Sequence, residues 1–480
     1  MRLSELLKGI NVIKTAADLN MEIGGICYDS RMAKAGDMFV AVVGYESDGH
    51  NYINQAVKAG VSCVLCQKEP DADIPYILID NTRLGLAVVS ANWFDKPASK
   101  LKMIGVTGTN GKTTTTNLIK TMLEQVYGCK VGLIGTNCNM IGDVVLEAER
   151  TTPESFEIQS LLNDMVNAGC EYAVMEVSSH ALYLDRVAGI EFEIGIFTNL
   201  TRDHLDFHNT MEEYGKAKAL LFRQSKVGII NIDDEYCELM KENATCKIFT
   251  YSIDKTEADL SAMNVVFKPD GISFAALMTA RLEKVKLAIP GKFSVYNGLT
   301  ALAALINLGV DIRDAAAALS QCKGVKGRVE VVPTNSDFTV IIDYAHTPDA
   351  LENVLNTLND YATGRVVVLV GCGGDRDKTK RPVMGKTAVE MADFAIITSD
   401  NPRTEEPMDI INDILEGVKG TKTPYKVIEN RREAIGWAIK NHKPNDIILL
   451  AGKGHETYQI IGKTKNHFDE REVVYEFLNN

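Results

Sequence analysis

The most constraining stretch of the chain is Met103-Ile-Gly-Val-Thr-Gly-Thr-Asn-Gly-Lys-Thr-Thr114. An apolar, strand-like run leads into Gly108, Thr109, Asn110 and Gly111. Lys112 and Thr113 follow, and a segment that is helical by pattern runs from Thr114 to Val126. Glycines let such a loop curl until its N–H groups face an anion, and the helix N-terminus that follows adds its dipole. Lys112 can reach the outer phosphates of a nucleotide, and the Thr113 hydroxyl can bind Mg2+. The spacing is irregular for a GxxxxGKT loop, because Gly105 stands six residues before Gly111 rather than five. A strand–loop–helix unit of this kind belongs to a parallel α/β sheet. It indicates a nucleoside triphosphate without indicating the reaction.

The remainder of the chain agrees with that fold class. Short β-branched runs alternate with helix-like segments through the 480 residues, which predicts α/β layers with mostly parallel sheets. The polar, proline-bearing Asp95-Lys-Pro-Ala-Ser-Lys100 and the glycine-bearing Lys323-Gly-Val-Lys-Gly327 interrupt the alternation. They divide the chain into pieces at 1–98, 99–328 and 329–480. The expected architecture is three α/β domains, with a central P-loop parallel-sheet ATPase domain and a C-terminal Rossmann-like domain.

Composition narrows the partners. Hydrophobic residues at 45% and charged residues at 24% exclude a disordered or low-complexity chain. A net charge of −13 repels nucleic acid and anionic membrane, so neither is an expected partner. No apolar run reaches the roughly 18 residues of a membrane span. The charged start MRLSELLKGI does not read as a signal peptide, so the expectation is a cytoplasmic protein with no membrane insertion. The ten cysteines are irregularly spaced, and Cys63 and Cys66 form a CxxC inside an apolar run, which reads as core.

Beyond the loop, several strand ends carry polar residues. Glu176 closes a strand-like run before Val-Ser-Ser-His180, where a carboxylate would lie at the ligand crevice of a parallel sheet and could bind Mg2+. Taken alone it reads as an ordinary ion-paired residue. Asp203, His204, Asp206 and His208 follow another strand at a density that points to metal or phosphate. Met211 to Phe222 is helical by pattern, with Lys216 and Lys218 reading as a solvated basic face. In Thr151-Thr-Pro-Glu154, Thr152 before Pro153 reads as a helix N-cap, and an anion site at that helix start is the functional alternative. Toward the C-terminus four apolar strands end in Asp343-Tyr-Ala-His346, Gly371-Cys-Gly-Gly-Asp-Arg376, Asp400-Asn401-Pro402-Arg403 and Gly452-Lys-Gly-His-Glu456. In a parallel sheet those tips share one edge. Arg376 and Arg403 suit carboxylates, and Glu456 and Asn401 suit an amine or polar group, so an amino acid with more than one charged end fits.

These motifs, together with Asp29-Ser30-Arg31 and Asn199-Leu-Thr-Arg-Asp-His-Leu-Asp206, resemble those of the Mur ligases of peptidoglycan synthesis over essentially the whole length. Within the family the likeness is to members that join meso-diaminopimelate to UDP-N-acetylmuramoyl-L-alanyl-D-glutamate at the expense of ATP. The resemblance implies that Ser30 and the Asp48-Gly-His50 loop hold the uridine diphosphate end. Thr151, Thr152, Ser178 and Arg186 would bind the muramoyl dipeptide and its phosphates. Residues Gly108 to Thr114 would cradle ATP, contacted further by Asn297, Arg328, Asp343 and His346. Lys112, Glu176, His204 and Lys218 would be the catalytic set, with Thr113, Glu176, His204 and Lys218 on magnesium. Lys218 matches the lysine that the family carbamylates, and a carbamate would give it two anionic oxygens. Arg376, Asp400, Asn401, Pro402, Arg403, Gly452 and Glu456 would hold the incoming amino acid.

One position departs from the family pattern: Ser294 stands where Asn is usual. The reaction implied is phosphorylation of the D-glutamate γ-carboxylate followed by attack of the amine on the acyl phosphate, with closure of the C-terminal domain before chemistry. Arg403 can pair with the extra carboxylate of diaminopimelate, whereas L-lysine, the main alternative, would set an ammonium against it. Folylpolyglutamate synthase and a nucleotide-hydrolysing switch are the more distant rivals. A monomer is expected.

Overall fold

The computed structural model describes residues 1–45, 47–268 and 271–479, and the Asp206 side chain lies outside what is described. The chain separates into two compact units, residues 1–261 with 299–315 and residues 262–298 with 316–480.

The first unit holds two sheets. In the smaller, Gly25–Cys27, Asp37–Val40, Cys63–Cys66 and Tyr76–Leu78 run parallel, and Lys14–Thr15 joins Tyr76–Leu78 antiparallel. Every residue of Cys63–Cys66 is buried and all ten cysteines are free thiols, so the CxxC is core. The larger sheet has six parallel strands in the order Lys247–Ser252, Ser225–Asn231, Phe192–Phe197, Lys102–Thr107, Cys170–Glu176, Lys130–Ile134. A short hairpin, Asn139–Ile141 with Val144–Leu146, continues its edge antiparallel. The strand entering the glycine loop is thus central, flanked by the strands that end in Glu176 and Phe197. The chain leaves toward one side and later returns to the other, which opens a crevice beyond the strand ends.

The second unit begins with antiparallel strands that the parallel reading did not include: Gly271–Met278 pairs with Arg281–Leu287 over seven residues. Its main sheet runs Glu330–Val332, Thr339–Asp343, Ile447–Ala451, Val366–Val370, Phe394–Ile397, Tyr425–Val427, parallel except for the first pair. The four strands read from the sequence are the four consecutive central members. All residues of Val366–Val370 and Ile447–Ala451 are buried, as the unbroken apolar runs require of strands covered on both faces. Two apolar clusters, one around Ile341, Leu355 and Val368 and one around Ile342, Ile435 and Leu450, cover those faces.

Candidate active site

The glycine loop closes on itself. Strand Lys102–Thr107 ends at Gly108, whose φ of 145° and whose absent Cβ, which would stand 1.9 Å from Thr198 Oγ1, make the position one for glycine. Gly105 is not part of the loop. It lies within the strand under Phe192 and Leu221, where a Cβ would come within 3.1 Å of both, so the irregular spacing is a packing feature. The helix runs Lys112–Tyr127, starting two residues earlier than predicted, and Gly111 precedes it with φ of 86°. Lys112 Nζ donates to the carbonyls of Gly108 and Thr109, both at 2.8 Å. A second segment clamps the loop. Asn110 N–H donates to Asn199 Oδ1 at 2.9 Å, and Thr198 Oγ1 and Asn199 Nδ2 donate to Asn110 O at 2.7 and 3.1 Å. Thr109 N–H donates to Asn199 O at 2.8 Å. Thr198 and Asn199 carried no role in the sequence reading.

Lys218 overturns the solvated-face reading of its helix, Met211–Ala219. Lys216 is exposed and pairs with Glu212, as composition implies, but Lys218 is buried to 1% exposure. Its Nζ donates to Gly108 O at 2.9 Å and lies 4.4 Å from the centre of the Tyr214 ring. Burial, and then the nearby Lys112 charge, hold its amine well below the ordinary lysine range, with Asp203 opposing. Helix periodicity alone turns Lys218 inward: Tyr214, four residues earlier on the same face, is also buried.

Glu176 ends its strand buried, and its carboxylate is already engaged. Oε1 accepts from Thr136 N–H and Oε2 from Thr136 Oγ1, each at 2.9 Å. Thr136 Oγ1 also lies 3.0 Å from Thr151 Oγ1, whose hydroxyl donates to it because the Thr136 proton is already given to Glu176. Thr152 does not cap a helix. The helix is Ser155–Asn167 with Glu154 at the N-cap position, and Pro153 lies before it. The Thr152 hydroxyl instead bridges the strand end, donating to Glu176 O at 2.8 Å and accepting from Ser178 N–H at 3.1 Å. Arg186 donates to Thr152 O at 3.1 Å and pairs with Glu154 at 2.8 Å, where Arg150 and Arg83 also pair. Thr151, Thr152, Glu176, Ser178 and Arg186 therefore form one connected group.

His204 has a positive φ of 52° and lies 3.5 Å from an Asp203 oxygen, with the His180 ring edge-on at 4.9 Å. Among the described residues no three His, Cys, Asp or Glu side chains converge as a metal-binding group. The predicted metal set would rely instead on Thr113, Glu176, His204 and a modified Lys218. Ser30 lies in the turn after the strand Gly25–Cys27, and His50 in the short 3-10 helix Gly49–Tyr52. Ser30 Oγ donates to Gln55 at 3.1 Å. His50 has protein partners on both ring nitrogens, Asp48 at 2.5 Å and the Gln67 N–H at 2.9 Å.

In the second unit, Asp343 ends its strand fully enclosed and accepts from the N–H groups of Val329 and Ala345, each at 2.8 Å. Burial raises its pKa against the pull of Arg328. Arg328 lies over the Tyr344 ring at 5.1 Å, and His346 Nδ1 lies 2.8 Å from Tyr344 O. Burial lowers the His346 pKa. Asn297 and Ser294 are both buried on the helix Lys292–Asn307. The Ser294 hydroxyl donates to Pro290 O at 2.8 Å, so the departing residue is satisfied within its own turn.

The amino-acid set gathers at the tips of neighbouring strands. Asn401 Nδ2 donates to Glu456 Oε2 at 2.9 Å. Arg403, at φ of 53°, donates from Nη1 to Gly374 O at 2.7 Å. Arg376 donates to Asp375 O at 3.2 Å. Gly452 has φ of 114°, and a Cβ there would stand 2.6 Å from Asp400 Oδ2. The hairpin Tyr458–Ile461 with Thr464–His467 straps the 400–403 segment: Ile460 N–H donates to Asn401 Oδ1 at 2.9 Å, and Arg403 N–H to Ile460 O at 3.1 Å. Lys453, absent from the predicted set, lies at the centre of this group.

Comparison with known proteins agrees with the geometry. Three family descriptions match in succession: "Mur ligase family, catalytic domain" over residues 22–104, "Mur ligase middle domain" over 106–305, and "Mur ligase, glutamate ligase domain" over 327–454. A protein of Clostridium acetobutylicum named UDP-N-acetylmuramoyl-L-alanyl-D-glutamate--2,6-diaminopimelate ligase 1 is 49% identical over 482 residues, covering 100% of this chain and 99% of the relative. Proteins of the same name, without the numeral, from Caldanaerobacter subterraneus and Bacillus licheniformis are 48% and 45% identical, with 100% and 99% of this chain covered and 99% and 98% of the relatives. A solved structure titled as a ligase of that name superposes with a TM-score of 0.74 at 31% identity, covering 100% of this chain and 99% of the other. A folylpolyglutamate synthase from Mycobacterium tuberculosis, at 16% identity and TM-score 0.62, shares the fold over 77% of this chain and 92% of its own.

Proposed function

The chain belongs to the Mur ligase family, and on that premise we propose that it joins 2,6-diaminopimelate to the D-glutamate of UDP-N-acetylmuramoyl-L-alanyl-D-glutamate with hydrolysis of ATP. It is an amide-bond-forming ligase of peptidoglycan precursor synthesis. The observation that carries this reading is the full-length identity of 45–49% to relatives bearing that activity in their names. The L-lysine alternative is not favoured, since those relatives are diaminopimelate ligases.

A carboxylate is a poor electrophile, so its activation as an acyl phosphate precedes attack by the amine. Loop residues Gly108 to Thr114 would bind the nucleotide phosphates, with Lys112 closing over them. Thr113, Glu176 and Lys218 are buried and His204 is exposed; these four, with Lys218 carbamylated, would hold a magnesium ion, which would neutralise charge on the transferring phosphoryl group. Lys218 suits carbamylation because a neutral amine is the form that adds CO2, and its surroundings favour that form. Ser30, His50, Thr151, Thr152, Ser178 and Arg186 would bind the nucleotide-sugar substrate. Asn297, Arg328, Asp343 and His346 would complete the ATP contacts. Arg376, Asp400, Asn401, Pro402, Arg403, Gly452 and Glu456 would take the amino acid, with Arg403 on the carboxylate that L-lysine lacks.

The proposal also includes domain boundaries at 98/99 and 328/329, a monomer, a cytoplasmic location and a part in cell shape and division. Among the described residues no helix is long and apolar enough to cross a membrane. Mass spectrometry of the product formed from ATP, Mg2+ and the UDP-muramoyl dipeptide, offered equal meso-diaminopimelate and L-lysine, tests the reading. A tripeptide carrying diaminopimelate is expected. A lysine product would discard the role given to Arg403, and ATP hydrolysis without any product would discard the ligase.

A further inference from the structure

Lys453 is wholly buried, yet its ammonium has no apolar escape from charge. Its Nζ donates to Asn401 Oδ1 and to Glu456 Oε2, both at 3.1 Å, and lies 3.6 Å from Asp400 Oδ1. The rings of Tyr458 and Phe468 stand at 5.8 and 6.0 Å and close the space around it. One buried cation thus touches three residues from two strand tips, and all three belong to the group assigned to the amino acid.

The geometry has a chemical consequence. Asn401 Oδ1 takes two donors, Lys453 Nζ and the Ile460 N–H. That fixes which end of the amide is oxygen, and turns Nδ2, a two-proton donor, toward Glu456. Both Lys453 and Asn401 bond to the same Glu456 oxygen, Oε2, so Oε1 is the oxygen presented to an incoming ammonium. Without the cation, Glu456 would lose a buried cationic partner, Asp400 would keep Arg431 at 4.0 Å, and the Asn401 oxygen would lose one of its two donors, keeping the Ile460 N–H.

We propose that Lys453 is a positioning residue for the amino-acid substrate: it sets the polarity of Asn401 and Glu456 so that one offers N–H to a carboxylate and the other a carboxylate oxygen to an ammonium. The inference rests on the ligase reading and adds to it a residue that touches no substrate. Its effect belongs to recognition of the amino acid and leaves the nucleotide half of the reaction alone.

Steady-state kinetics of the full chain carrying Lys453→Met and Lys453→Arg test it. The Met variant is expected to raise KM for diaminopimelate at least about tenfold, which is about 1.4 kcal/mol of binding, with KM for ATP and for the UDP-muramoyl dipeptide within about twofold of wild type. The Arg variant keeps the charge and is expected to show a smaller, equally selective rise. Unchanged KM for diaminopimelate, or a rise shared by all three substrates, overturns the proposal. Should Lys453→Met fail to fold, the Arg variant decides by the same criterion, since it leaves no unpaired carboxylate behind. A wild-type chain that makes no diaminopimelate product overturns the ligase reading itself, whereas a wild type that turns over beside variants of unaltered selectivity overturns only the role of Lys453.

Discussion

At the scale of single residues, the informative event is the fate of Lys218. Composition makes a lysine on a charged helix a solvent group, and its neighbour Lys216 is one. Helical geometry places Lys218 on the buried face, with Gly108 O as its hydrogen-bond acceptor and Lys112 as a like charge nearby. Both burial and that charge disfavour the ammonium and so favour the neutral amine, the form that adds CO2. Replacing Lys218 with Ala should therefore lower turnover by about a thousandfold or more, the scale on which loss of an electrostatic stabiliser acts. Bicarbonate should raise the rate of wild-type enzyme freshly exchanged into CO2-free buffer. Intact-protein mass and rate measured with and without bicarbonate check this, and indifference of both would remove the carbamate from the account. The family resemblance singled out this lysine, while residue-by-residue reading passed it over, because burial is set by packing that a charge count does not contain.

At the scale of elements, the sequence was most legible where apolar runs were unbroken. The four C-terminal strands stand side by side as read, because runs such as Ile447–Ala451 admit only a strand buried on both faces. It was least legible where a side chain is recruited across the chain. Thr152 looks like a cap beside Pro153, yet its hydroxyl serves the end of the Cys170–Glu176 strand, a contact between segments 24 residues apart. The antiparallel strands after residue 270 likewise carry no signal that separates them from the parallel alternation around them. The clamp on the phosphate loop belongs to the same class, since nothing local announces that Asn199 holds Asn110. Its two side-chain hydrogen bonds are each worth about 1 kcal/mol, and losing them frees the loop backbone that would face the nucleotide. Asn199→Ala should accordingly raise KM for ATP by about tenfold, with KM for diaminopimelate unchanged. Steady-state titration of each substrate checks the split, and a matching rise in both would show a general loss of structure instead.

At the scale of the whole molecule, stability against pH reports how the charged groups are buried, and His455 offers a clean case. Its ring lies under Tyr344 at 4.9 Å, and its Nδ1 is buried without a hydrogen-bond partner among the described residues. Burial first, and then the positive charges of Arg328, Arg471 and Lys326, push its pKa from the ordinary 6.5 down to about 4. A base held below its ordinary value binds fewer protons in the folded state than in the unfolded state. Its contribution to stability is therefore fully present above pH 6.5 and is lost as pH falls from 6.5 toward 4. The full shift corresponds to about 3 kcal/mol, and because the ring is not wholly enclosed, solvent screening reduces this to about 1–2 kcal/mol. Replacing His455 with Phe keeps a flat ring against Tyr344 and removes the titration. Lys218, whose lowered pKa acts with the same sign over a higher window, and Asp343, whose raised pKa acts with the opposite sign, are common to both proteins and cancel in the comparison. The Tm of wild type should fall relative to His455→Phe between pH 6.5 and 4 by several degrees, at about 2–4 °C for each kcal/mol. Parallel Tm curves across that window would mean that His455 is protonated in the folded protein at the pH where a free histidine is, and that neither burial nor the three surrounding cations disfavours its charge.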